Sequence, residues 1–271
     1  TLGLIGPSGS GKSSIGRAVL DLVPSEYSVR NFNGNENHIQ FIFQDPSSAL
    51  NRSHSVGHIL NNVLLLHEPG QSLEERKNRV GELLQEVGLH ASDECKKPKD
   101  FSGGQRQRIG IARALAASPK VLICDESVSA LDVSVQAQVL NLLNDLKEEL
   151  SLTLLFISHN LSVVENVSDR IAIMYLGHIV ELLESSKFAA NCKHPYSKAL
   201  LSAIPIPDPN LKKKRIILKG DVPSPINPPS GCVFRTRCPN PTHDCKEGNI
   251  EMGLIEVSPN HWVDQCCVNC H

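Results

Sequence analysis

Residues 6–13 read Gly-Pro-Ser-Gly-Ser-Gly-Lys-Ser. They follow the apolar run Leu2-Gly3-Leu4-Ile5 and precede Ile15, Ala18, Val19 and Leu22, which are spaced as one helix face. A short strand, a glycine-rich turn and a helix opening on Lys-Ser form the setting in which this spacing marks a phosphate site. Gly6, Gly9 and Gly11 let the backbone curl tightly and aim N–H groups at an anion, and the helix dipole adds to that attraction. Gly6, Pro7, Ser8, Gly9, Ser10, Gly11, Lys12, Ser13 and Ser14 are therefore the expected phosphate contacts. Lys12 supplies a point charge for the β- and γ-phosphates, and the Ser13 hydroxyl joins a Mg²⁺ shell. The plain alternative is a glycine-rich turn with a solvated lysine. The full spacing and flanks favour a nucleoside triphosphate site.

Such a loop needs an acidic partner for the metal and a group that positions water. Val121-Leu122-Ile123-Cys124-Asp125-Glu126 offers both at the end of an apolar run. Asp125 would support the Mg²⁺, and Glu126 would polarise an attacking water. Read alone, this segment could equally be two solvated carboxylates at a strand end. Ser102-Gly103-Gly104-Gln105 can cap a helix running through Ile109, Ala112 and Leu115, which makes a second helix start suited to an anion. Taken alone it is also an ordinary capped helix. His159, after the run Phe156-Ile157-Ser158, would in isolation be a packed or capping residue.

The elements that must carry these residues alternate. Strand-like runs at Ile39–Phe43, Val121–Cys124, Leu152–Ile157 and Arg170–Met174 are separated by helical patterns. Such alternation predicts an α/β fold with a parallel sheet core and helices on both faces. Val80, Leu83, Leu84 and Val87 share one helix face, and Val139, Leu142, Leu143, Leu146 and Leu150 share another. Residues 46–117 read as a helical insert. Beyond about residue 190 prolines crowd, and six of the nine cysteines lie at or after Cys232. That shift predicts one large domain over 1–190 and a small Cys-rich extension over 191–271.

A formal net charge of −2 gives no electrostatic reason to expect nucleic acid or anionic lipid as partner. The basic run Lys212-Lys213-Lys214-Arg215 reads as a solvated loop. No stretch approaches 18 apolar residues and no signal peptide is evident, so the expectation is a cytosolic protein. The chain opens inside the strand that feeds the glycine-rich loop, which leads us to expect missing upstream strands.

In order along the chain, these motifs resemble the nucleotide-binding subunit of ATP-binding-cassette transporters. The resemblance rests on residues 6–13, on Gln44 in Phe43-Gln44-Asp45-Pro46, and on the signature Phe101-Ser102-Gly103-Gly104-Gln105-Arg106-Gln107. It continues through Asp125-Glu126, Ser129-Ala130-Leu131-Asp132 and His159. It implies ATP and Mg²⁺ as ligands, with Ser13, Gln44 and Asp125 around the metal and Lys12, Gln44, Glu126 and His159 serving hydrolysis. It implies that Ser102, Gly103, Gly104 and Gln105 face the nucleotide of a second, unlike ATPase subunit in a head-to-tail dimer, with Asp132 across that interface. Transmembrane permease subunits, a solute-binding protein acting indirectly, and a peripheral location on the cytoplasmic membrane face are implied as well. So are an adenine-stacking aromatic residue upstream of Thr1 and no role for nucleic acid.

Phe41–Asn51, Val128–Gln138, His194–Leu201 and Gly220–Pro225 are similar to the oligopeptide, dipeptide and nickel importer branch. The implied activity is ATP hydrolysis that powers peptide uptake. A soluble non-transport ATPase of the same superfamily, acting on DNA or ribosomes, is the second reading. A nucleotide-binding fragment without turnover is the third. Two departures from the family pattern are Ser127 for proline and Asn160 for aspartate. A third is the short path from Lys12 to Gln44, in which the turn Asn33-Gly34 leads almost directly to a strand.

Cys232, Cys238, Cys245 and Cys266 are spaced C-x5-C-x6-C-x20-C. Four thiolates suit either a tetrahedral zinc site or a [4Fe–4S] cluster, and buried unliganded thiols are the remaining reading. The branch resemblance favours the cluster over zinc. Cys267 competes for the fourth position, Cys270 and His261 are reserves, and Cys124 is expected in the core.

Overall fold

The computed structural model describes residues 1–23, 38–205 and 215–267. Asn33-Gly34, Lys212–Lys214 and Cys270, all named above, lie outside the described residues. In chain order the elements are β1 (Leu2–Ile5), α1 (Lys12–Val19), β2 (Ile39–Ile42), α2 (Pro46–Ala49), α3 (Val56–His67), α4 (Leu73–Glu86) and α5 (Gly103–Leu115). Next come β3 (Val121–Asp125), α6 (Val133–Glu149), β4 (Thr153–Ser158), α7 (Leu161–Val167), β5 (Arg170–Tyr175), β6 (His178–Glu184) and α8 (Ser185–Asn191). The chain ends with α9 (Pro195–Ala203), α10 (His243–Glu247), β7 (Leu254–Ser258) and β8 (His261–Asp264). They form two compact units, residues 1–15 with 156–271, and residues 16–155.

In the second unit β2 and β3 pair in parallel, Ile39 opposite Val121. The helices form where an apolar stripe meets a capping residue. Ser55 caps α3, and Ser72 with Glu75 makes a reciprocal capping box on α4. Their inward faces are Val56, Ile59, Leu60 and Leu64, and Val80, Leu83 and Leu84, all buried. Arg113 reaches from α5 to the carbonyl of Ala49. Of the expected stripe on α6, Val139, Leu143 and Leu146 are buried, whereas Leu150 lies past the helix end and is exposed. Cys124 is fully buried in β3 as expected, and that burial pushes its thiol up to about 12.

In the first unit β1 pairs in parallel with β5, Leu2 opposite Arg170. The pairs that continue the sheet beyond β5 are antiparallel. β5 turns through Leu176-Gly177 into β6, β6 pairs with β8, and β8 with β7. Parallel pairs thus stand where the alternating pattern predicts them, and the antiparallel strands add to them. Strands β7 (Leu254–Ser258) and β8 (His261–Asp264) lie within residues 191–271, where the sequence pattern above names no element. Both turn residues have positive φ, 43° at Leu176 and 84° at Gly177, the geometry of a tight two-residue hairpin.

A buried carboxylate ties this unit together. Glu181 of β6 is fully buried and meets His261 Nε2 of β8 at 2.8 Å. It also accepts the backbone N–H groups of Lys193 at 2.6 Å and His194 at 3.1 Å. Three donors for one buried carboxylate satisfy what would otherwise be a costly group.

Candidate nucleotide site

The phosphate loop leaves β1 and ends on α1. Gly9 and Gly11 adopt φ of 77° and 98°, as the curled loop requires. Gly6 is needed for a different reason. A Cβ there would stand 2.4 Å from the carbonyl oxygen of Met174, so only glycine lets the loop lie against β5. The Lys12 ammonium is buried and donates to the carbonyls of Gly6 and Pro7, both at 3.0 Å. It is thereby held at the mouth of the loop, where phosphate oxygens can replace those carbonyls. Ser10 is buried with its hydroxyl unpartnered, a polar atom inside an anion cradle. Ser8 and Gly9 are exposed at the tip, Ser13 is half-buried and Ser14 is exposed. His159 follows β4 as an exposed residue beside Asn160, whose side chain caps α7 by accepting from Ser162 N–H. Asparagine at that position thus does the work of a cap.

The second unit holds the acidic group. Asp125 ends β3 in a buried position. Glu126 follows with φ of 46°, a left-handed conformation unusual for a non-glycine residue. The turn is held by Ser129, whose N–H and hydroxyl both donate to the Glu126 carbonyl, at 3.1 and 2.9 Å. The Gln44 amide donates to Glu126 Oε2 at 3.1 Å. That contact leaves the Gln44 amide oxygen as the group a cation would use. Within the second unit Gln44 and Asp125 offer hard oxygen donors of the kind Mg²⁺ takes, and in the first unit the Ser13 hydroxyl is a donor of the same kind.

Ser102 caps α5, accepting from Gln105 N–H at 3.3 Å while its own N–H donates to Gln105 Oε1 at 2.9 Å. Gly104 is buried, and a Cβ there would stand 2.2 Å from Val135 Cγ1. The signature glycine is therefore a packing requirement between α5 and α6, where the sequence suggested only backbone access. Asp132 caps α6 from an exposed position. Its carboxylate is held below the usual range by the Val135 N–H at 2.9 Å and then by the Ser134 hydroxyl at 2.8 Å.

The cysteines gather differently from expectation. Among the described residues no group of three or more His, Cys, Asp or Glu side chains is arranged to hold a metal ion. Cys266 Sγ donates to Cys232 Sγ at 3.3 Å and lies 3.6 Å from Cys267 Sγ. Cys245 Sγ accepts from the Thr242 hydroxyl at 3.1 Å, and Cys238 is half-exposed. The set of Cys232, Cys238, Cys245 and Cys266 is thus not assembled as a cluster or zinc centre. A hydrogen bond from Cys266 and then burial push the Cys232 thiol up, which favours the protonated form. The bond to Cys232 pulls Cys266 down, but Cys267 and burial outweigh it and the net shift is upward. His261, a reserve ligand by sequence, is engaged with Glu181.

The sequence reading missed two contributors to this region. Met174 touches the phosphate loop, and Gly177 donates its N–H to the Ser10 carbonyl at 2.9 Å. The dipeptide Leu-Gly between two apolar runs was the available signal for the turn. Nothing in the residue pattern pointed to its partner.

A phosphate loop leaving a parallel strand, on an α/β fold, defines the chain as a P-loop NTPase. The ABC transporter family model matches residues 1–129, and the model for the oligopeptide/dipeptide transporter C-terminal region matches residues 180–245. The chain belongs to the ATP-binding-cassette transporter ATPases, in the group that carries this C-terminal region. It is 49% identical to the putative oligopeptide transport ATP-binding protein YkfD of Bacillus subtilis, over 97% of this chain and 84% of that one. It is also 49% identical to the oligopeptide transport ATP-binding protein OppF of Escherichia coli, over 90% of this chain and 78% of that one. The solved structure of cbiO1 from Clostridium perfringens, part of the ABC transporter complex cbiONQ, superposes with a TM-score of 0.59 at 25% identity. It covers 69% of this chain and 77% of that one. The ATP-binding cassette MJ0796 bound to ADP and Pi gives a TM-score of 0.57 at 27% identity, covering 68% of this chain and 84% of that one. Among the described residues no helix is long and apolar enough to cross a membrane.

Proposed function

We propose that this chain binds and hydrolyses ATP to power peptide uptake through separate membrane subunits. The observation that carries the reading is its near-half identity, over almost its whole length, to oligopeptide transport ATP-binding proteins. In this reading residues 1–190 are the nucleotide-binding domain, with 46–117 as its helical part, and 191–271 are the extension. Lys12 and the loop N–H groups would hold the phosphates, and Ser13, Gln44 and Asp125 would hold Mg²⁺, which would neutralise phosphate charge. Glu126, oriented by Gln44, takes a proton from the attacking water, and His159 steadies the γ-phosphate. Ser102 and its two glycines serve the ATP of a second, unlike subunit, with Asp132 at that interface. The chain then sits at the cytoplasmic membrane face beside its permease, and a solute-binding protein acts at the far side.

Transport of a labelled oligopeptide into vesicles carrying the assembled importer tests this reading. Uptake should need ATP and stop when Glu126→Gln replaces the wild-type subunit. ATP hydrolysis that continues unchanged in that variant would remove Glu126 from its role.

The soft-metal reading of Cys232, Cys238, Cys245 and Cys266 rests on donor chemistry alone. Iron and zinc analysis after purification without oxygen decides it, and protein free of both metals would end it.

A further inference from the structure

The phosphate loop is held from outside by the β5–β6 hairpin. Gly177 N–H donates to the Ser10 carbonyl at 2.9 Å. Further along the same hairpin, the Met174 carbonyl lies so close to Gly6 that a Cβ there would stand 2.4 Å away. A Cβ on Gly11 would stand 3.1 Å from Met174 Cε. Residues 174–177 therefore meet the loop at its start, Gly6, and at Ser10 and Gly11 beside the helix. Between Met174 and Gly177 lie Tyr175 and Leu176, and Leu176 takes φ 43° as the first residue of the two-residue hairpin turn.

Tyr175, next to that turn, packs against the Cys-rich extension. Tyr175 is fully buried, and its hydroxyl has no hydrogen-bond partner, so its ring contacts hold it. The ring meets Phe234 edge to face, with centroids 5.2 Å apart and planes at 89°, and meets Tyr196 at 5.0 Å and 62°. Phe234 is itself buried and sits in the turn Cys232-Val233-Phe234-Arg235, closed by Arg235 N–H donating to the Cys232 carbonyl at 3.0 Å. A continuous packed path thus runs from the cysteine turn through Phe234 and Tyr175 to the phosphate loop.

We infer that Phe234, acting through Tyr175, is a positioning residue for the phosphate loop, so that the extension tunes nucleotide affinity without touching nucleotide. Loss of the ring contact frees the Leu176-Gly177 turn, and with it the Ser10 and Gly6 backbone that shapes the cradle. The inference rests on residues 6–13 being the ATP phosphate site.

Equilibrium binding of Mg·ATP to the full chain tests it, with thermal unfolding recorded on every variant. Phe234→Leu and Tyr175→Leu should bind about three- to tenfold more weakly, the size expected for losing an aromatic pair. Tyr175→Phe keeps the ring, loses only an unpartnered hydroxyl and should bind as wild type. Phe234→Met, which fills the space with an adaptable chain, gives a milder variant and should fall between. Phe188→Leu removes a comparable buried ring from α8 and should lower stability without changing affinity. Wild-type affinity in both Leu variants, alongside lost binding in Lys12→Ala, would overturn the positioning role and leave the phosphate site standing. Equal weakening in Phe188→Leu would reduce the effect to stability and overturn it too. Unchanged binding in Lys12→Ala would overturn the phosphate site and this inference with it.

Discussion

The Gln44 side-chain amide donates to Glu126 Oε2 at 3.1 Å, joining the second residue after β2 to the residue that follows the end of β3. The bond fixes a carboxylate whose backbone is already held at φ 46° by Ser129. Pre-set orientation of this kind is what a group that must activate water requires.

Glu126→Gln should keep ATP binding, since it leaves the loop and Lys12 untouched, and should lose turnover by at least about a hundredfold. It should also stabilise the ATP-bound dimer. Single-turnover hydrolysis and size-exclusion chromatography with ATP measure the two effects.

Gly104→Ala should destabilise the fold by roughly 1–3 kcal/mol through the clash with Val135, despite a helix-propensity gain of about 0.5–1 kcal/mol. Val135→Ala in the same chain should restore most of the loss. Urea unfolding of both reads the difference, and an undamaged single variant would refute the packing role.

Burial lowers His194 from its ordinary value to about 3. In the folded state it stays neutral, with Nδ1 accepting from Tyr196 N–H at 3.1 Å as the cap of α9. The unfolded chain takes up the proton from about pH 6.5 downward. Stability is therefore lost as pH falls from about 6.5 towards 3, by up to about 1.4 kcal/mol per pH unit. His194→Asn keeps a capping oxygen without titrating there, so its stability should fall less between pH 6 and 4. Parallel acid-denaturation curves would show it.

Asp93 shows the opposite sign of shift. The Lys96 ammonium at 2.8 Å and the His90 N–H at 3.1 Å hold its carboxylate below the usual range. Its contribution is complete above the unfolded value of about 3.9 and disappears as pH falls through the lower folded value. Because Lys96 is exposed, the pair is worth about 1 kcal/mol or less. Asp93→Asn should remove that amount at pH 7 and progressively less as pH falls below about 3.9, as measured by denaturant titration.

What could be read from residues alone was whatever depends on short spacing. Gly6–Ser13, Ser102–Gln105 and Asp125-Glu126 each act within one turn or strand end, so their order along the chain was enough to name the chemistry. The faces of α4 and α6 were legible because helical periodicity is local, and Leu150 failed only because the helix stops before it. The cysteine set fared worse. Spacings of five, six and twenty residues do not dictate where sulfurs converge, and Cys266 turned to Cys232 and Cys267.

By itself the sequence determined the class of protein, because phosphate capture needs particular residues at particular near-neighbour spacings. Only the tertiary structure decided what holds those residues still. The contacts of Gly177 with Ser10, Met174 with Gly6, Phe234 with Tyr175 and Glu181 with His261 join segments far apart in the chain. Pairings of that kind are chosen by packing and by the need to satisfy buried polar groups once the chain has folded, and no local pattern encodes them.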